Sequence, residues 1–173
     1  WFEQGLVAAP ARWTLLGQGT VFTHLDEEPG EGRLYWSDAW NGYPAARQRL
    51  LDSLQRTRSA NPIVFTGDLH AFMVSDVNAV PEQPDSPLLA AEFVTTSLSS
   101  SGRPQPSLDR WLAGNPNISL LEGRSRGYLR VQLGRERASV DLMAVDDVRN
   151  ASSGQSVLRS FVMEAGRPGI QPA

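Results

Sequence analysis

Hydrophobic positions along the chain fall into three patterns, and each predicts a different element. Leu129, Val131 and Leu133 alternate with Arg130 and Gln132, and after a turn near Arg135-Glu136 the same period returns at Val140, Leu142 and Ala144. Period two over paired runs predicts a β-hairpin with one face on a core and one in water. Tyr43, Ala46, Leu50, Leu51 and Leu54 instead share one side of a 3.6-residue period, with Arg and Gln opposite. That amphipathic helix is entered through Asn41-Gly42 and Pro44, a residue suited to a first helical position. Asn61-Pro62 is expected to end it, since the residue before proline is pushed out of helical backbone. The third pattern is the unbroken run Ile63-Val64-Phe65-Thr66, which predicts a strand buried on both faces and stopped at once by Gly67-Asp68.

Weaker signals fill in the rest. Trp1, Phe2, Leu6, Ala9 and Trp13 suit a short helix, and Leu15, Leu16, Val21 and Phe22 suit a strand interrupted by Gly17 and Gly19. Glu92 to Leu98 is strand-like and stopped by Ser99-Ser100-Ser101-Gly102, while Leu108, Trp111 and Leu112 predict a short helix before Gly114. An apolar run surrounds Phe161 ahead of Gly166-Arg167-Pro168-Gly169, and 26–33 and 81–87 read as exposed loops. There is no internal repeat. Helices layered on sheet are expected, a mixed α/β (α+β) fold.

Composition narrows the chemistry. With 173 residues, 40% hydrophobic and 20% charged, the chain is long enough for one compact domain. No apolar stretch is long enough for a transmembrane segment. The formal net charge is -3 and every one of the 16 basic residues is Arg, scattered rather than striped, so there is no nucleic-acid-binding patch. Without cysteine, metal ligands would be His and carboxylates. The first residue is Trp1 rather than Met, so an upstream portion is expected.

Gly67-Asp68-Leu69-His70 is the sharpest chemical feature. It leaves a buried strand where open sheets bind ligands, at the carboxyl ends of strands. An Asp and a His two residues apart on such a turn can reach one metal from adjacent sides. A capping Asp68 and a satisfied His70 are the plainer alternative. Asp38-Ala39-Trp40-Asn41-Gly42-Tyr43 places an acid and two aromatics at the helix entrance, with Arg47 one turn on. Asp38 there suits capping and Arg47 suits either a phosphate or plain solvation. Ser97 to Gly102 is read as a serine-rich turn, Asp76 as a turn residue or a ligand, His24 as surface and Asp146-Asp147 as solvated.

Taken in order, these pieces resemble one family. Trp1-Phe2-Glu3 with Gly5-Leu6, 12–18, Asp38 to Pro44 with Arg47, Gly67-Asp68-Leu69-His70, Glu92-Phe93-Val94 with Ser99-Ser100, Arg126-Gly127-Tyr128 and 161–169 are similar to PhoD-like (alkaline phosphatase D) metallophosphoesterases. The resemblance implies that residues 1–173 form the C-terminal half of such a domain, its first metal-ligand motifs lying upstream. It implies part of a four-layer αββα metallophosphoesterase sandwich with a C-terminal β-hairpin. It also implies a multinuclear site of iron and calcium, and hydrolysis of phosphate mono- and diesters by a bacterial enzyme of the periplasm or cell exterior. Carried over, Asp68 and His70 become metal ligands, Asp38, Arg47 and Asn117 catalytic or orienting groups, and Trp40 and Tyr43 substrate-binding residues. The chain departs from the pattern at Asn117, where relatives commonly carry His. Asn cannot shuttle a proton, which motivates a competing reading: a non-catalytic relative binding a phosphorylated polymer or calcium. A purely structural β-rich domain is the third possibility.

Overall fold

A computed structural model describes residues 1–8, 11–30, 32–81, 83 and 85–173. Ala9 of the opening apolar pattern, Glu31 of the first loop and Glu82 and Pro84 of the second lie outside the described residues. The elements are, in order, α1 (Phe2–Ala8), β1 (Thr14–Gly17), a 3-10 turn (Trp40–Gly42), α2 (Pro44–Thr57), β2 (Pro62–Thr66), β3 (Phe72–Asn78), β4 (Leu88–Val94), α3 (Gln105–Gly114), β5 (Ile118–Glu122), β6 (Arg126–Leu133), β7 (Arg137–Val145), β8 (Gln155–Glu164) and β9 (Arg167–Pro172).

Two sheets result. The first has the order β1-β2-β4-β3-β5; β1, β2 and β4 are parallel, and β3 runs against both of its neighbours, so β5 points the same way as β2. The second is the antiparallel meander β6-β7-β8-β9, which contains the expected hairpin and extends it by two strands. Ile63, Phe72, Val74, Ala91 and Phe93 of the first sheet meet Ala138, Val140, Leu142, Phe161 and Met163 of the second in one core. Phe93 stacks on Phe65 at 6.1 Å and meets Phe161 edge-on at 6.2 Å. Each fully buried side chain of this size contributes about 1.5–3 kcal/mol.

On its other face the first sheet is covered by helices. Leu51 of α2 packs with Phe22 on Val64, Val77 and Ala90, and Leu108 and Trp111 of α3 pack with Met73, Val94, Ile118 and Leu121. The architecture is α+β, and the described residues supply three layers of the four expected: helices, mixed sheet, antiparallel sheet.

Several elements differ from expectation. The α2 helix stops at Thr57, before Asn61-Pro62, because Arg58 turns left-handed (φ 49°). β4 starts at Leu88 and ends at Val94, leaving 95–101 as loop. Val21 and Phe22 belong to no strand; they are buried in a segment that crosses the outer face of the first sheet. β3 and β5 were not predicted. β3 is buried along almost its whole length and shows no alternation, so Asp76 lies mid-strand rather than in a turn.

Candidate functional site

The parallel strands β1, β2 and β4 end on one edge of the first sheet, and the loops that leave them there carry the candidate chemistry. Gln18 N donates to Phe65 O at 3.1 Å and Thr95 N to Thr66 O at 2.9 Å, extending the pairing just past the strand ends. Between them, β2 runs into Gly67-Asp68-Leu69-His70. Asp68 (φ 71°) and His70 (φ 59°) both sit in left-handed backbone, which costs non-glycine residues about 1–3 kcal/mol each and is favoured at ligand-binding sites. Leu69 between them is completely buried, packed with Val21, Ala39, Trp36, Leu108 and Trp111. One apolar anchor therefore turns its two polar neighbours the other way: Asp68 is exposed and His70 half-buried. Neither side chain makes a hydrogen bond or ion pair among the described residues, so Asp68 caps no turn.

The second motif wraps the same edge. Gly42 lies so close to Ser37 that a Cβ there would overlap the Ser37 carbonyl, which explains the glycine in the 3-10 turn. Trp40 donates from Nε1 to Gln18 Oε1 at 2.8 Å and from its backbone to Val21 O at 3.3 Å, and its ring stands edge-on to Phe22 at 5.3 Å. It is thus fixed beside the ends of β1 and β2. Asp38 is exposed and is not the N-cap of either the 3-10 turn (Ala39) or α2 (Tyr43). Tyr43 is 61% exposed.

Arg47 departs from the solvated reading: it is only 6% exposed, and its Nη1 donates to Asn41 Oδ1 at 2.7 Å. Its charge faces Glu92, a fully buried carboxylate on β4. Glu92 Oε1 accepts from Phe22 N and from Thr66 Oγ1, both at 2.8 Å, and Oε2 accepts from Thr23 N at 2.7 Å. Burial pushes the Glu92 carboxyl up, against these hydrogen bonds and the Arg47 charge. Sequence analysis places Glu92 in a strand and in the Glu92-Phe93-Val94 motif but gives its side chain no role. The available signal was a lone acid inside Leu88-Leu89-Ala90-Ala91-Glu92-Phe93-Val94.

Asn117 is not brought to this edge. It immediately precedes β5, which runs parallel to β2, so it lies at the end of the sheet away from the Gly67–His70 turn. Its Nδ2 donates to Thr23 Oγ1 at 3.1 Å and His24 O at 3.3 Å, holding the far end of the crossing segment. His24 is half-buried beside Tyr35, ring centroids 5.1 Å apart, and is not a surface residue. Asp76 points between the sheets and accepts from Ile170 N at 3.2 Å. Ser97 forms the expected serine turn, donating to Ser100 O at 2.7 Å, and Arg126 ties that loop down through Thr96 Oγ1 and Gly123 O. Among the described residues no group of three or more His, Asp or Glu is placed to hold a metal ion. A cavity of about 530 Å³ lies away from the turn, between the end of α2, the starts of β2 and β4 and the β8–β9 turn, and is lined by none of these candidates.

A mixed sheet whose carboxyl edge presents an unpartnered Asp and His on left-handed backbone is an α+β domain with two residues of metal-ligating type on one turn. Comparison with known proteins places it more closely. The family model described as PhoD-like phosphatase matches residues 1–142, and the chain belongs to that family. It is 29% identical to alkaline phosphatase D of Bacillus subtilis (strain 168) over 174 residues, covering 99% of this chain and 30% of that protein. A solved structure titled "Structure of PhoD" superposes with a TM-score of 0.91 at 28% identity, over 99% of this chain and 33% of that one. The chain thus spans about a third of the length of these relatives. No described helix is long and apolar enough to cross a membrane.

Proposed function

We propose that this chain supplies the C-terminal part of a metal-dependent phosphate-ester hydrolase of the alkaline phosphatase and phosphodiesterase type, acting in the bacterial periplasm or outside the cell. The observation that carries the reading is the Gly67–His70 turn: a carboxylate and an imidazole, unpartnered, on two left-handed residues at the carboxyl edge of parallel strands. Such a donor pair fits iron or a similar transition metal, and the carboxylate also fits calcium. Two donors do not complete a site, so the remaining ligands come from outside the described residues. When bound, the metal supplies Lewis-acid polarisation of the phosphoryl group. Asp68 and His70 hold it, Leu69 fixes the turn that carries them, and Trp40, pinned to Gln18, borders the approach. Asp38, exposed next to Trp40, is the remaining acid free to orient a substrate or a water.

The competing view, a relative that binds without turnover, was motivated by Asn117, whose side chain is engaged with Thr23 and His24 away from the turn. The test is Asp68→Ala and His70→Ala in the full-length parent, with elemental analysis of bound metal and hydrolysis of bis-p-nitrophenyl phosphate. Both variants are expected to lose metal and at least about a hundredfold in turnover, more than the tenfold to hundredfold of an outer-shell change. Full turnover in both refutes the ligand assignment. Polymer binding without product in the wild-type parent supports the non-catalytic view.

A further inference from the structure

Glu92 is a group that the hydrolytic reading does not use. A carboxylate completely removed from water persists only where its environment compensates for the lost hydration. Here both oxygens are engaged: Oε1 by Phe22 N and Thr66 Oγ1, Oε2 by Thr23 N, with Arg47 as the facing charge. The four partners come from three different places. Phe22 and Thr23 lie in the segment crossing the outer face of the sheet, Thr66 ends β2 directly before Gly67, and Arg47 belongs to the first turns of α2. Ser75 stands opposite Glu92 in the β3–β4 register, equally buried, yet its hydroxyl has no partner. Burial in this layer does not by itself produce bonding; the contacts converge on Glu92.

The crossing segment also lies beside the turn. A Cβ added to Gly67 would be in van der Waals contact with Thr95 and Gly19 O, and Val21 packs in the cluster that seats Leu69. Two successive backbone amides on one carboxylate fix that segment in both position and rotation. We propose that Glu92 is the positioning residue of this site, clamping the crossing segment to the end of β2 so that the Gly67–His70 turn keeps the strained backbone that presents Asp68 and His70. The inference rests on the reading of that turn as a metal-binding element.

Glu92→Gln is nearly isosteric, but its amide nitrogen meets the Thr23 N–H donor to donor and releases half of the clamp. In the full-length parent three properties are measured: amide hydrogen exchange at Phe22 and Thr23, the EDTA concentration that removes half of the bound iron and calcium, and kcat and KM on bis-p-nitrophenyl phosphate. Glu92→Gln is expected to stay folded, exchange faster at both amides, release metal at tenfold to hundredfold lower EDTA and lose kcat by a similar factor with KM little changed. Thr66→Ser, which keeps the hydroxyl, should behave as wild type, and Thr66→Val should fall in between. Ser75→Ala, which removes an unbonded hydroxyl, is the control for disturbing the buried layer and should change none of the three. If Glu92→Gln lowers Tm yet keeps wild-type metal retention and kcat while folded, Glu92 is merely structural and the proposal fails. Should Glu92→Gln not fold, Thr66→Val decides on the same readouts. Metal loss in Asp68→Ala without metal loss in the Glu92 and Thr66 variants overturns this inference alone. Wild-type retention in all of them overturns the reading of the turn as well.

Discussion

Glu92, fully buried, and Asp76, half-buried, are two acids of the first sheet whose carboxyls burial pushes up. Asp76 faces the layer between the sheets, where burial raises its pKa and the single bond from Ile170 N only partly offsets it. A carboxyl whose folded pKa lies above its unfolded value destabilises the fold while ionised, and stability is regained as pH falls through the folded pKa. Asp76→Asn keeps an acceptor for Ile170 N and removes the charge. It is expected to raise Tm modestly at pH 8, since Asp76 is only half-buried, with the advantage shrinking as pH drops through the raised pKa. A thermal melt series against pH checks this, and a lower Tm for the variant at pH 8 would count against it. Asp141 runs the other way. Ser160 and Arg130 hold its carboxyl below the usual range. Its contribution is present above the unfolded pKa and is lost as pH falls toward the folded value. In Ser160→Ala the strongest cause of that depression is gone, so Tm at neutral pH should fall and the Asp141 part of the acid limb should shrink, with variant and wild type converging at low pH in a series of thermal melts.

At the scale of elements, the parts that were legible in the sequence are those with one wet face. The β6–β7 hairpin could be read because Arg130, Gln132, Ser139 and Asp141 mark its outer side between apolar residues. The α2 helix showed its period for the same reason. β3 gave no period because both of its faces are covered, by β8 and β9 residues on one side and by α2, α3 and the crossing segment on the other. β5 is five residues long, and Ser119 interrupts its apolar pattern. Part of the candidate site was legible too: Gly67-Asp68-Leu69-His70 stands out because a polar turn follows an apolar strand. Glu92 was not, since propensity and period treat an acid in a strand as a defect, and only the amides that converge on it give it a purpose. The position of Asn117 was not legible, because it lies just before β5 and the direction of that unrecognised strand decides which edge it occupies. Phe93, between Phe65 and Phe161, joins the two sheets. Phe93→Ala should cost about 3–5 kcal/mol of unfolding free energy in a denaturant titration, the range for an aromatic lost from a packed core. A cost below about 1.5 kcal/mol, the tolerance for volume-conserving swaps, would mean that the sheets close up around the gap.

The whole molecule ends its first sheet on β1 and its second on β6, and neither edge is closed among the described residues. Val131 and Leu133 pair with Val140 and Ala138, which are buried between the sheets, so all four share the inward face. Val131 nevertheless remains 36% exposed and Leu133 46%, and Leu15 on β1 is 45% exposed. The apolar interior thus continues outward past β1 with nothing described over it, along a strand that pairs only with β2 among the described residues. An open apolar edge of this kind is a template for association. Relatives about three times as long have the chain length to cover it, and on the function proposed above they would also supply the donors that complete the Gly67–His70 turn. The two deficits predict a joint behaviour. The isolated chain should bind a hydrophobic dye, self-associate as its concentration rises and fail to hydrolyse bis-p-nitrophenyl phosphate with iron and calcium supplied. The full-length parent should do none of the first two and should turn over until chelator stops it. Leu15→Lys and Leu133→Lys should reduce dye binding and association of the isolated chain while lowering the Tm of the parent, because the same positions are solvent in one and interior in the other. If the lysine variants leave the parent's Tm unchanged, that edge is open in the parent as well. If the isolated chain hydrolyses the ester by itself, the missing donors lie within 1–173 after all.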